Sequence, residues 1–169
     1  MKRNTGVLLA VVGLTASVSP AGAARPAVPE THCVAHAVDQ LPAGELLLSA
    51  EVCYPTFATA MAAEGVDAWG SNAAARVATI QAASFTIGTH YDGAGFSGSS
   101  TSVVGSNCNG GWLNVSATWN NRISSTINGC PRIRHFAGAS LTGASESTYA
   151  PGGNLGGLNN QTSSIQYLT

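Results

Sequence analysis

Charge is what this chain has least of: Asp, Glu, Lys and Arg together make up 9% of its 169 residues. Lys2 is the only lysine, and beyond residue 23 five arginines face eight carboxylates, a net charge of −3 with histidines neutral. A surface so poor in basic groups carries no stripe for phosphates, which sets nucleic acid aside as a partner. Long apolar runs are lacking too. The one at residues 7–18 falls short of the ~20 residues that cross a bilayer, so no membrane span is expected. Catalytic signatures are also missing. There is no Cys-x2-Cys pair, no HExxH helix and no GxSxG elbow, and the scattered carboxylates form no acid–base couple. An enzyme is not expected.

What is present begins with an export signal. Lys2 and Arg3 precede the apolar run, and Ala21-Gly22-Ala23 supplies small residues for cleavage, so residues 1–23 read as a signal peptide and the protein as secreted, extracellular. An exported chain meets oxidising surroundings, and four cysteines then favour two disulfides. Three pairings are available. The local ones, Cys33–Cys53 and Cys108–Cys130, are favoured, each closing a loop worth roughly 3 kcal/mol in the chain-entropy account. Zinc at Cys33, flanked by His32 and His36, is the competing reading.

Texture divides the rest. Residues 24–65 read as a small disulfide-linked α+β extension. Segments 33–38 and 46–54 pair as strands around the turn-prone Pro42-Ala43-Gly44. A helix over 56–64 follows, with Thr56 as N-cap and Gly65 as its stop. Phe57, Ala60 and Met61 share one face of that helix and would cover the strands. The Ala-rich stretch 66–83 reads as a linker or a loose helix. From Ser84 onward Gly, Ser, Asn and Thr become dense, the mark of short strands separated by turns, and 84–169 reads as an all-β domain.

That half repeats itself. Tyr91-x4-Phe96-x-Gly98 returns 45 residues later as Phe136-x4-Leu141-x-Gly143. Further along each copy, Asn120-Asn121-Arg122-Ile123-Ser124-Ser125 corresponds to Asn159-Asn160-Gln161-Thr162-Ser163-Ser164. Two copies of one supersecondary unit follow, each too small to bury its apolar face alone. The core candidates are Ile87, Val103, Ile123, Ile133 and Ile165.

Hairpins of the form aromatic-x4-aromatic-x-Gly, followed by loops reading Asn/Asp-Asn/Asp-x-x-Ser/Thr-Ser, resemble the Greek keys of microbial βγ-crystallins, here of the type secreted by actinobacteria. The resemblance covers residues 84–169 and leaves the extension outside. It implies a sandwich of two Greek-key motifs and two calcium ions held by ligands exchanged between the loops. By that resemblance one ion takes the Arg122 carbonyl, the Ser124 hydroxyl, the Asn160 side chain and the Asp92 carbonyl. The other takes the Gln161 carbonyl, the Ser163 hydroxyl, the Asn121 side chain and the Ala137 carbonyl. The side chains of Arg122 and Gln161 would face water, and Asn120 and Asn159 would brace the loops. Such oxygen donors suit a hard cation. Asn-Asn in both loops lowers the charge of each site, so weak binding is expected, with dissociation constants of ~10⁻⁴ to 10⁻³ M. Leu141 departs from the pattern at an aromatic position.

Some features are decoys. Gly93-x-Gly95-x-x-Gly98 matches a dinucleotide-binding fingerprint in form, yet no helix or βαβ unit accompanies it. His90 and His135 stand at equivalent positions before the hairpin aromatics and read as paired strand residues. The function implied is a non-catalytic calcium-binding protein whose ions stabilise the fold. The alternative is a secreted proteinase inhibitor or killer-toxin-like protein on the same scaffold, with an extracellular protein or proteinase as partner.

Overall fold

The computed structural model describes residues 29–64 and 84–169, so the signal peptide expected at 1–23, the linker at 66–83 and the helix stop at Gly65 lie outside the described residues. Eleven strands and one helix are described: β1 (His32–Gln40), β2 (Leu46–Leu48), β3 (Val52–Tyr54), α1 (Phe57–Ala63), β4 (Phe85–Tyr91), β5 (Ser100–Gly105), β6 (Trp112–Asn114), β7 (Ser125–Asn128), β8 (Arg132–Phe136), β9 (Ser145–Tyr149), β10 (Gly152–Asn154) and β11 (Ser164–Leu168). Among the described residues no helix is long and apolar enough to cross a membrane.

Two sheets face each other. One runs β10-β7-β4-β5-β1-β2, with β3 also on β1, and the other runs β6-β11-β8-β9. Strands β4 to β7 form the first Greek key and β8 to β11 the second, and each key lends its third strand to the other's sheet. The expected all-β sandwich of two Greek keys is what forms. Exchange of β6 and β10 explains why neither copy stands alone, since each sheet is completed by the other repeat.

Ile87, Val103, Ile123, Ile133 and Ile165 all lie in the buried cluster between the sheets, with Leu113, Trp119, Leu155 and Tyr167. The packing is close enough to dictate a glycine. A Cβ at Gly88 would lie 2.7 Å from Ile133 Cδ1 and 2.9 Å from Tyr167 Cε1, distances no side chain tolerates.

Both local disulfides are present, Cys33–Cys53 and Cys108–Cys130. The second sits in the sandwich core. Because Cys33 is bonded to Cys53, neither can offer a thiolate, and the zinc reading at His32, Cys33 and His36 is corrected: the grouping of Cys33, Glu51 and Cys53 is a disulfide beside a carboxylate.

The extension folds as strands and a capped helix. Segment 46–54 splits into β2 and β3, both antiparallel to β1. Thr56 caps α1 through a capping box with Thr59, and Ala60 and Met61 pack with Val34 of β1 and Val104 of β5. β1 also runs parallel to β5, with Ala35 opposite Val103. The sheet is thereby wider than its partner by the strands of the extension. At the far side, the Trp112 amide donates to Gly44 O (2.9 Å) and its indole N–H to Ala43 O (3.0 Å), tying the extension's turn to β6.

Candidate functional site

The two hairpins and the two Asn-Asn loops meet at one end of each key, and their hydrogen bonds repeat almost atom for atom. In the first hairpin the Gly93 amide donates to Ser97 O (3.0 Å), and in the second the Gly138 amide donates to Thr142 O (2.9 Å). Each hairpin turns through left-handed backbone at Gly98 (φ 79°) and Gly143 (φ 78°), where a Cβ would be strained. Phe96 (φ 62°) and Leu141 (φ 60°) adopt the same conformation, so leucine in place of the aromatic leaves the backbone of the second hairpin unchanged. In the first hairpin the rings of Tyr91 and Phe96 pack edge-on, 6.1 Å apart.

Each loop is stitched to its own hairpin by two serines. The Ser124 amide donates to Tyr91 O and the Ser163 amide to Phe136 O, both at 2.8 Å. Ser125 Oγ donates to Gly93 O (2.6 Å) while accepting from the Phe96 amide (3.0 Å). Ser164 Oγ likewise donates to Gly138 O (2.7 Å) and accepts from the Leu141 amide (3.0 Å). The loops are also laced to each other. The Asn121 amide donates to Thr162 O (3.0 Å) and the Asn160 amide to Ile123 O (2.9 Å). Asn121 (φ 58°) and Asn160 (φ 55°) take the left-handed conformation that asparagine tolerates better than most residues.

This lacing brings the first set of sequence-predicted oxygens together. Ser124 Oγ lies 2.8 Å from Asp92 O and 3.1 Å from Asn160 Oδ1, so three of the four groups assigned to one ion converge from three separate segments. The fourth, the Arg122 carbonyl, belongs to the same loop. Oxygens roughly 3 Å apart match the edges of a coordination shell with metal–oxygen distances of about 2.3–2.6 Å. The serine hydroxyl can turn its proton away and present a lone pair. In the second set, Ala137, Asn121, Gln161 and Ser163 occupy the corresponding positions of hairpin and loops. The contacts equivalent to those of Ser124 are not made there.

The Arg122 side chain is exposed yet tethered: its guanidinium pairs with the Asp92 carboxylate at 2.7 Å, donates to Thr118 O at 3.1 Å and lies 5.0 Å above the Trp119 ring. A cation is thus fixed beside the first set, where the second has only Gln161, whose amide donates to Gly157 O (3.2 Å). Asn120 and Asn159 are exposed on their loops.

One element of the site escaped sequence reading. Asn154 Oδ1 accepts from the Gly95 amide (2.6 Å) and Asn114 Oδ1 from the Ser140 amide (2.7 Å), so the exchanged strands β10 and β6 hold the hairpin tips of the other key. The recurrence of Asn114 as Asn154 along the repeat was the available signal. His90 and His135, read from the sequence as strand residues rather than a catalytic dyad, stand on β4 and β8 of the two facing sheets. Both are fully buried, with rings 5.5 Å apart, which places them in the core rather than at a reactive surface.

No protein-family model and no curated protein matches the chain. Among solved structures, a double mutant of a βγ-crystallin domain from Clostridium beijerinckii is similar at 20% identity and a TM-score of 0.41, over 48% of this chain and 97% of that one. The unmutated domain from the same organism is similar at 15% identity and a TM-score of 0.40, over 49% and 99%. The N-terminal domain of Protein S is similar at 21% identity and a TM-score of 0.39, over 48% and 94%.

Proposed function

We propose that the chain is a secreted, non-catalytic calcium-binding protein in which two ions stabilise a two-Greek-key domain. The observation that carries the reading is the convergence of Asp92 O, Ser124 Oγ and Asn160 Oδ1, three neutral oxygens drawn from one hairpin and both loops. A turn has no need to gather them. In a second site Ala137, Asn121, Gln161 and Ser163 play the same parts by the repeat. Calcium supplies charge to a set of ligating oxygens that are all neutral, and in doing so it ties the two loops to the hairpins. The first site is the better organised before metal arrives, so it fills first.

Exchange of ligands between loops gives the reading its sharpest consequence. Ser124→Ala should weaken one ion and Asn121→Ala the other, although both residues sit in one loop. Calorimetric titration of the chelator-treated protein should resolve two events in the wild type, with the tighter lost in Ser124→Ala and the weaker lost in Asn121→Ala. Loss of the same event in both variants would sink the exchanged arrangement.

Arg122 should oppose the first ion. Its guanidinium neutralises Asp92 and adds a positive charge near the site, so Arg122→Gln is expected to tighten the first event severalfold, roughly 1 kcal/mol at a partly exposed position. The second event should not move. Weaker binding at the first site would mean that the Arg122–Asp92 pair positions the Asp92 carbonyl rather than competing for it.

A further inference from the structure

The two repeats differ in what lies beside them. β5 and β9 are equivalent, each being the strand that follows its hairpin. Among the described residues β9 is an edge of its sheet, whereas β5 is covered by β1 of the extension, with His32 opposite Ser100. Two parts of the extension then reach the first hairpin. The Thr31 amide donates to Ser99 Oγ (3.1 Å) and the Thr31 carbonyl accepts from the Ser100 amide (2.9 Å). The Phe57 ring, at the start of α1, stands 6.0 Å from the Tyr91 ring. Disulfide Cys33–Cys53 joins β1 to β3, the strand that leads into α1.

Both contacts bear on the groups that meet the first loop. Tyr91 O accepts the Ser124 amide and Asp92 O accepts the Ser124 hydroxyl, each at 2.8 Å. The Asp92 amide is in turn held by Ser99 O (3.1 Å), so Thr31 fixes the residue that fixes Asp92. The second hairpin keeps the matching internal bond, from the Ala137 amide to Ala144 O (2.9 Å), but nothing of the extension touches it. There Ser145, the counterpart of Ser100, accepts from Arg134, and Phe136, the counterpart of Tyr91, lies under the Arg134 guanidinium. That is also the hairpin whose site lacks the contacts made by Ser124. Groups held in place before a ligand arrives cost less to order, and binding is tighter for it.

We propose that the extension is a brace that positions Tyr91 and Asp92 for the first calcium ion, with Thr31 and Phe57 as positioning residues and the Cys33–Cys53 disulfide as the lock. The proposal rests on the calcium reading, and its test separates the two. Three variants release the brace without touching a ligand. Ser99→Ala removes the acceptor of the Thr31 amide, and Phe57→Ala removes the ring beside Tyr91. Cys33→Ser/Cys53→Ser removes the lock and leaves Cys108–Cys130 to hold the sandwich.

Amide hydrogen exchange of the oxidised full chain in chelator reads the brace without the ion. In each variant the Asp92 and Gly93 amides should exchange severalfold faster, while Ala137 and Gly138 of the second hairpin hold their rates. Calorimetric titration with calcium should then show the tighter event weakened on the order of tenfold in the double variant, within the span usual for coupled sites, and the weaker event unmoved. Equal acceleration of both hairpins would mean a general loss of stability, and unchanged exchange at Asp92 would mean that the first hairpin stands by itself. Either result overturns the brace, as does a tighter event that keeps its affinity in all three variants. A wild type that gives no heat with calcium would instead bring down the calcium reading, with the brace on the hairpin still decided by exchange.

Discussion

Acidification from pH 7 to about 4.5 should cost the metal-free protein on the order of 5 kcal/mol of stability, a large share of the roughly 5–15 kcal/mol that folded domains commonly have. The cause is the buried pair His90 and His135. His90 Nδ1 lies 2.9 Å from Thr126 Oγ1 and its Nε2 lies 3.0 Å from the Tyr167 hydroxyl, while His135 Nε2 lies 3.4 Å from the same Thr126 oxygen. Burial pushes the His90 pKa well below its ordinary 6.5, and the neighbouring His135 lowers it further. Burial likewise takes His135 down to about 4, with Glu146 on the adjoining strand pulling the other way. Tyr167 is raised by burial and stays protonated. Both histidines are therefore neutral in the folded state.

The direction of the effect follows. The unfolded chain takes up protons below 6.5 and the folded one does not, so stability is full above that value and falls as pH falls through it. Each histidine contributes about 1.4 kcal/mol per pH unit until its own folded pKa is reached. His32, less deeply buried, is also lowered by burial and adds in the same sense. Urea unfolding at stepped pH in chelator measures the loss, and His135→Gln should remove close to half of it. A stability that stays level between pH 7 and 5 would show that the pair can charge without opening the core.

Much of this site was legible in the sequence because its parts demand particular residues. Gly98 and Gly143 are glycines at left-handed positions, and Asn121 and Asn160 are asparagines at left-handed positions, so backbone geometry wrote itself into residue type. Ser124 and Ser125 each make a different, obligatory contact, which is why two serines stand together. The two short disulfide loops could be read for a similar reason, since each joins segments already close in sequence.

Contacts between distant segments were not legible. Nothing in the pattern of β1 says that it will run parallel to β5, because a strand's run of side chains carries no record of which edge it joins. The exchange of β6 and β10 is hidden for the same reason, as both are three-residue strands whose one trace in the repeat, Asn114 returning as Asn154, does not say which sheet they join. Arg122 was expected to face water, as only its carbonyl matters to the motif, and its ion pair was not foreseen. Its partner Asp92 lies 30 residues earlier, and only the fold brings them together.

Calcium should stabilise the fold by several kcal/mol, and this is the second large effect. An ion that binds only the folded chain adds RT ln(1 + [Ca²⁺]/Kd), which is about 1.4 kcal/mol per site at ten times Kd and roughly 2.7 kcal/mol at one hundred times. With dissociation constants of ~10⁻⁴ to 10⁻³ M and calcium near 10 mM, the two sites together contribute about 3–5 kcal/mol. The gain is large because the ions close contacts that the chain leaves to dipoles alone: hairpin to loop, and loop to loop. Magnesium should give far less, since it holds its water more tightly and accepts only compact octahedral shells.

The decisive measurement is the melting temperature of the oxidised protein in about 10 mM calcium, in magnesium at the same concentration, and in chelator. The sites described here predict a calcium-specific rise of roughly 10 °C, reversed by chelator and shared little by magnesium. Coincident melting curves in all three solutions would contradict them, leaving two Greek keys whose Asn-Asn loops serve only as turns.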